Sequence, residues 1–196
     1  KMHAKRGDTL PFIGWVDFSR TSLAEAMGEA GFKTGAEIGV RKGEYSRVLC
    51  EKIPDLKLYC IDPWSPYRGG RPTKERMDAD YEITKQTLSS FDVSLIRKTS
   101  MEAVKDFADG SLDFVYIDAM HEFDPVMMDI IAWTPKVRIG GIVSGHDYYV
   151  RDPNLGVIQA VDEYVKEHGY DLKLTDWARG VPKDDRQPSW FFIKDK

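Results

Sequence analysis

The sequence predicts an α/β fold: a seven-stranded, mostly parallel sheet with helices on both faces and one reversed strand near the C-terminus. Three observations carry this. Short runs rich in β-branched and aromatic residues alternate with segments of helical period along almost the whole chain. Five of the six residues in LDFVYI (112–117) are apolar or aromatic, as in a strand buried on both faces. The last two strand-like runs are joined by a polar loop, 176–188, with no helical period, which makes them an antiparallel pair.

The elements follow in order. SLAEAMGEAGF (22–32) reads as a helix with a capping box at Ser22 and Glu25, a shared face of Leu23, Met27 and Ala30, and Gly31 as its stop. TGAEIGV (34–40) is the first strand. GEYSRVLCEKI (43–53) is a helix ended by Pro54, and LKLYCID (56–62) is the second strand. A long polar connection, WSPYRGGRPTKERMD (64–78), leads into a helix expected from about Thr73 to Leu88. VSLIRK (93–98) is the third strand, MEAVKDF (101–107) a short helix and LDFVYID (112–118) the fourth strand. Asp124 and Pro125 pair as N-cap and first residue of a helix that ends before Pro135. RIGGIVSGHD (138–147) holds the fifth strand. Asn154 opens a further helix with Val157, Val161, Tyr164 and His168 on one face and Gly169 past its end. YDLKLT (170–175) and SWFFIK (189–194) are the closing strands.

A chain of 196 residues is long enough for one domain with a real core, so residues 1–196 are expected to form a single domain, 1–33 preceding a sheet core at 34–196. No apolar run approaches the ~20 residues a membrane helix needs, and KMHAKRGDTLPFIGW shows no apolar stretch ahead of a cleavage site, so neither a membrane span nor a signal peptide is expected. The net charge of −4 argues against general nucleic-acid binding, which needs a broad basic face. Cys50 and Cys60 both sit among apolar residues and read as buried free thiols in a reducing cytoplasm, and their spacing does not suggest structural zinc.

In an open α/β sheet, ligands bind beyond the carboxyl ends of the strands. After the first strand comes EIGVRKGEYS, where Gly39 and Gly43 allow a sharp turn into the N-terminus of a helix. A phosphate-binding P-loop fails because the lysine precedes the glycine, and a dinucleotide turn lacks its middle glycine, since position 41 is Arg. The second strand ends in Asp62, placed to accept ribose hydroxyls or simply to make a turn before Pro63. The fourth strand ends in Asp118 with His121 three residues on, and the fifth in His146 and Asp147.

The motif Glu37-x-Gly39-x-x-x-Gly43 resembles that of the class I S-adenosylmethionine-dependent methyltransferases. The stretch from Asp118-x-x-His121 to Gly140-Gly141-x-x-x-Gly145-His146-Asp147 looks like the subgroup that includes sugar and macrolide-sugar O-methyltransferases. The resemblance covers about residues 34–194 and implies a Rossmann-like three-layer sandwich. It implies S-adenosylmethionine as cofactor, held by Glu37, Gly39, Gly43, Ser46, Asp62, Trp64, Thr99, Ser100 and Asp118. It also implies His121 and Asp118 as catalytic residues, with Asp118, His146 and Asp147 as ligands of a divalent metal such as Mg²⁺ or Mn²⁺. The subgroup has an acidic residue or His at position 146, and its metal-dependent members usually have an acidic one; imidazole suits Mn²⁺, Fe²⁺ or Zn²⁺ better than Mg²⁺.

The chemistry fits these residue types. An alcohol becomes a good nucleophile as its proton leaves; an imidazole can take that proton, or a metal can lower its pKa. The expected reaction is methyl transfer to a hydroxyl of a small molecule or sugar. A nicotinamide-dependent oxidoreductase on a similar sheet and a non-catalytic nucleoside-binding module are the rival readings. Arg68, Arg71, Lys74 and Arg76 are expected in a lid or a solvated linker, and Tyr148, Tyr149, Trp177 and Arg179 in loops suited to sugar stacking or to packing. LPFIGW (10–15) is expected to cover the site or to mediate self-association, and His3 and His168 carry no functional expectation.

Overall fold

The computed structural model describes residues 18–67, 69, 72–149, 156–177 and 186–196. The strands are β1 (Thr34–Ile38), β2 (Lys57–Ile61), β3 (Val93–Ile96), β4 (Leu112–Ile117), β5 (Val137–Gly145), β6 (Lys173–Leu174) and β7 (Trp190–Ile193). The α-helices are α1 (Arg20–Glu29), α2 (Glu44–Lys52), α3 (Lys74–Thr87), α4 (Ser100–Ala103), α5 (Phe123–Trp133) and α6 (Val157–His168). The seven strands form one sheet in the order β3-β2-β1-β4-β5-β7-β6. β1 to β5 pair in parallel, and β7 runs against both β5 and β6, as expected of a single reversed strand.

The chain winds outward from β1 to β3 and then returns to place β4 on the other side of β1. In open α/β sheets such a reversal marks the usual ligand position, a crevice expected beyond the carboxyl ends of β1 and β4. Ile38 pairs with Ile61 on one side and Ile117 on the other, and Ile117 pairs with Gly145. The next residues, Gly39, Asp62, Asp118 and His146, therefore leave the sheet at one level. This is the link from register to site: the pairing of apolar residues fixes where the polar ends emerge.

Burial follows the two-residue period of a strand covered on both faces. Phe114 and Tyr116 of β4 join a core with Leu23 and Met27 of α1 and Leu49 of α2. Val115 and Ile117 point the other way, into a core with Ile130 and Trp133 of α5 and Val161 of α6. Gly140 and Gly141 belong to neither the crevice nor its rim. They lie in a bulge where β5 shifts register against β4, and a Cβ on Gly141 would lie 2.4 Å from the Asp113 carbonyl. These two glycines shape the strand, remote from its carboxyl end.

Three helix starts differ from the sequence expectation. α1 is capped three residues earlier, with the Ser19 side chain accepting from the Ser22 amide, so Ser22 is inside the helix. α4 is capped by Thr99 in a capping box with Glu102, so Ser100 is its first residue. α5 begins at Phe123, which puts Asp124 and Pro125 in its first turn rather than at its cap. Proline is tolerated there because amides of the first turn lack helical acceptors. Asn154 lies outside the described residues, and α6 is described from Gly156 as its cap. Among the described residues, no helix is long and apolar enough to cross a membrane.

Candidate active site

The turn after β1 lies against the end of β4. Gly39 has φ +90°, its amide donates to the Ile61 carbonyl at 2.9 Å, and a Cβ there would sit 2.1 Å from the Asp118 carbonyl oxygen. Gly43, with φ +76°, caps α2. Asp62 fastens this turn. Its Oδ2 accepts from the amides of Val40 at 3.1 Å and Arg41 at 2.9 Å, and its Oδ1 from the Trp64 amide at 2.7 Å. A carboxylate has about four acceptor positions, so three are engaged by backbone. Asp62 is first a turn-holding residue, with little acceptor capacity left for a ribose. Trp64, expected at the cofactor, is fully buried, its indole N–H donating to the Arg41 carbonyl at 2.8 Å and its ring against Tyr81. It supports the turn from beneath instead of offering a stacking face.

Glu37, the last polar residue inside β1, is buried and accepts a hydrogen bond from the equally buried Ser46 of α2. Burial pushes its carboxyl up to about 8; the Ser46 bond opposes this and the nearby Asp118 carboxylate adds to it. The folded pKa exceeds the unfolded one, so folding takes up a proton between them, and stability falls as pH rises from about 4.5 through about 8. The urea midpoint of the wild type is expected to drop over that range by more than that of Glu37→Gln. Equal drops would show that Glu37 is ionised throughout.

Thr99 and Ser100, expected at an adenine, have structural partners. Thr99 Oγ1 lies 2.6 Å from Glu102 in the capping box. Ser100 Oγ donates to the buried Asp129 and accepts from the Trp133 indole at 2.8 Å. Burial pushes Asp129 up to about 6 against that Ser100 bond.

The other half of the crevice holds the acidic and imidazole groups. Asp118 follows β4, its amide donating to the Ile38 carbonyl at 2.7 Å. His121 Nε2 is 3.1 Å from Asp147 Oδ2 and 3.6 Å from Asp118 Oδ1. Asp147 takes the left-handed conformation, φ +57°, that turns it back toward His121. One ligand atom from each of Asp118, His121 and Asp147 lies within 4.8 Å of the others, a spacing compatible with a metal ion. His146, expected as the third ligand beside the two aspartates, stands next to this set. Its Nδ1 is 3.4 Å from Asp147 and 3.7 Å from Asp118, and its buried Nε2 has no hydrogen-bond partner among the described residues.

Burial would raise Asp118, but the His121 hydrogen bond and the His146, His121 and Arg20 charges hold it below the usual carboxylate range. Burial drives Asp147 up and His146 down, favouring their neutral forms. Arg20 of α1 is the contributor that sequence reasoning missed. Its guanidinium lies 4.6 Å above the Tyr45 ring with Nη1 4.0 Å from Asp118. An arginine beside a helix cap gives no pattern to read, because only the packing of α1 on α2 brings it to the end of β4. The loop bearing His121 is tied to α6, with the Gly156 amide donating to the His121 carbonyl at 2.8 Å.

At the rim, Trp177 is 57% exposed and meets Tyr149 edge-on at 5.5 Å, while Tyr148 donates to Asp162 at 2.5 Å. Lys74 and Arg76 pair along α3 with Asp78 and Asp80 and do not reach the crevice. Arg68, Arg71, Arg179, His3 and LPFIGW lie outside the described residues. His168 ends α6, stacked on Tyr164 at 4.1 Å, as a structural residue.

Comparison with known proteins adds three findings. The family model described as "Methyltransferase domain" matches residues 36–148, more than half of the chain. An uncharacterized protein, y4gI, from Sinorhizobium fredii is 38% identical over 65 residues, which span 33% of this chain and 7% of that protein's length. Two solved structures share the fold. A candidate rRNA methylase from Clostridium thermocellum aligns with TM-score 0.65 and 13% identity over 93% of this chain and 98% of its own. A candidate caffeoyl-CoA O-methyltransferase from Staphylococcus aureus aligns with TM-score 0.63 and 17% identity over 94% and 86%.

Proposed function

The chain belongs to the methyltransferase-domain family, and from that premise we propose that it moves a methyl group from S-adenosylmethionine to a hydroxyl of a small-molecule or glycosyl acceptor. The observation that carries this reading is the common level at which the Gly39 turn, Asp118 and the His146–Asp147 pair leave adjacent strands, with His121 folded onto the two aspartates. A donor turn and an acceptor-activating group share one crevice.

The Gly39–Gly43 turn, Glu37 and Ser46 would hold the donor, with one acceptor position of Asp62 left for a ribose hydroxyl. Bound there, S-adenosylmethionine would supply an electrophilic methyl to the acceptor oxygen, its C–S bond breaking with the electron pair left on sulfur. The hydroxyl proton passes to His121, which Asp147 orients through the 3.1 Å contact. The exposed Trp177 and its partner Tyr149 are suited to stack on a sugar or planar ring at the rim.

A metal reading has its own support in the convergence of Asp118, His121 and Asp147. That mixed nitrogen–oxygen set fits Mn²⁺ or Fe²⁺ better than Mg²⁺, and a cation held there would lower the pKa of a bound hydroxyl. The net charge of −4 favours a small acceptor over a nucleic acid.

S-adenosylhomocysteine is expected to raise the thermal midpoint and NADH to leave it unchanged. A shift with NADH alone would overturn the reading in favour of an oxidoreductase. A screen of hydroxylated acceptors with labelled donor would then identify the acceptor.

A further inference from the structure

We propose that Thr84, on α3 and outside the crevice, is a positioning residue for the donor turn, acting on the carbonyl of Arg41. This rests on the methyltransferase reading of that turn. Arg41 is the turn's one left-handed residue that is not glycine, with φ +52° between Gly39 and Gly43. A side chain disfavours that conformation, so it persists only where the surroundings hold it.

The holding contacts come from three residues, two on the segment after β2 and one on α3. The Arg41 amide is fixed by Asp62. The Arg41 carbonyl accepts from the Trp64 indole at 2.8 Å and from Thr84 Oγ1 at 2.7 Å. Thr84 is fully buried, and its hydroxyl is also 2.8 Å from the Asp80 carbonyl of its own helix. A hydroxyl has one proton to donate, so the bond to Arg41 competes with the local bond a helical threonine makes in any case. The Thr84 methyl lies where a Cβ on Gly43 would meet it at 3.2 Å, so one side chain braces both the middle and the end of the turn.

α3 is itself held to the sheet. Arg97, just past β3, donates to Asp78 of α3 and to the Trp64 carbonyl at 2.9 Å, and its guanidinium sits 5.1 Å from the centre of the Tyr81 ring. A path of direct contacts thus runs from the end of β3 through α3 to the turn. The turn must already hold its folded shape for the donor to bind without a reordering cost, and the Thr84 contact from α3 helps to hold it.

The test compares Thr84→Val, which keeps the shape and removes the hydroxyl, with Thr84→Ser, which keeps the hydroxyl. Thr84→Val is expected to weaken S-adenosylhomocysteine about five- to tenfold by calorimetry, to raise the donor KM to match and to leave kcat at saturating donor within about twofold. Thr84→Ser is expected to restore affinity, and Trp64→Phe, which removes the other donor to the same carbonyl, to weaken it in the same way. Exchange of the turn amides at 40–43 with deuterium is expected to quicken in Thr84→Val and not in Thr84→Ser. Thr84→Val affinity within twofold of wild type, or a lowered melting point with unchanged amide exchange, would overturn the proposal. If the wild type binds no S-adenosylhomocysteine, the methyltransferase reading fails, and the exchange comparison still decides whether Thr84 orders the turn.

Discussion

Gly39→Ala is expected to cost roughly 3–5 kcal/mol of stability and to abolish S-adenosylhomocysteine binding. Two independent penalties meet at this residue. The first is conformational: φ +90° lies where an L side chain is strained. The second is steric. The new Cβ would lie 2.1 Å from the Asp118 carbonyl oxygen, 2.5 Å from its carbon and 2.7 Å from Ala119 Cα. All three are backbone atoms, so no side-chain rotation relieves the clash, and the ends of β1 and β4 must separate. Gly31→Ala is the control. It too has a positive φ, +77°, but a Cβ there would meet nothing within 4 Å, so only the conformational cost of about 1 kcal/mol applies. Urea denaturation of both variants measures the difference. Equal losses would mean that the β1 turn and the β4 end are not in contact.

The same glycine shows what was legible in the sequence. A glycine after a buried strand signals a turn, and Asp62 and Asp118 are legible as strand ends because apolar runs stop at them. The parallel order makes those ends neighbours, and Ile38, Ile61 and Ile117 put them at one level. What the residues do there was less legible, since hydrogen-bond partners are set by packing between elements distant in sequence. Asp62 reads as a ribose ligand from its place at a strand end, and only the structure shows that three backbone amides also rest on it. The sequence places Ser100 at a strand end but gives no sign that α5 brings Asp129 and Trp133 to its hydroxyl. Arg20 and Thr84 carry no local pattern and gain their meaning only from the neighbours that helix packing supplies. Helix caps failed for a different reason. Ser19 and Ser22, or Thr99 and Ser100, are chemically near-equivalent caps, and the choice is made by where the chain leaves the preceding segment.

His121→Ala is expected to lower kcat by about 10²–10⁴-fold while S-adenosylhomocysteine affinity stays within about threefold. The split follows from position. His121 faces Asp147 and Asp118 on the acceptor side, while the turn that would hold the donor is fastened by Asp62, Trp64 and Thr84, none of which touches the imidazole through the contacts described. A loss of both affinity and kcat would place His121 in donor binding instead. The same variant separates two chemistries when wild-type activity is also measured after chelation. If His121 is the base, EDTA leaves the wild-type rate unchanged, and Asp147→Asn lowers kcat because the imidazole loses the carboxylate that orients it. If His121, Asp118 and Asp147 hold a cation, EDTA removes the activity and Mn²⁺ restores it. His121→Ala then needs more Mn²⁺ for half-maximal rate, and its loss shrinks as Mn²⁺ is raised, which loss of a base would not allow. One pair of contacts at 3.1 and 3.6 Å serves either chemistry, and the dependence of the variant's rate on added metal distinguishes them.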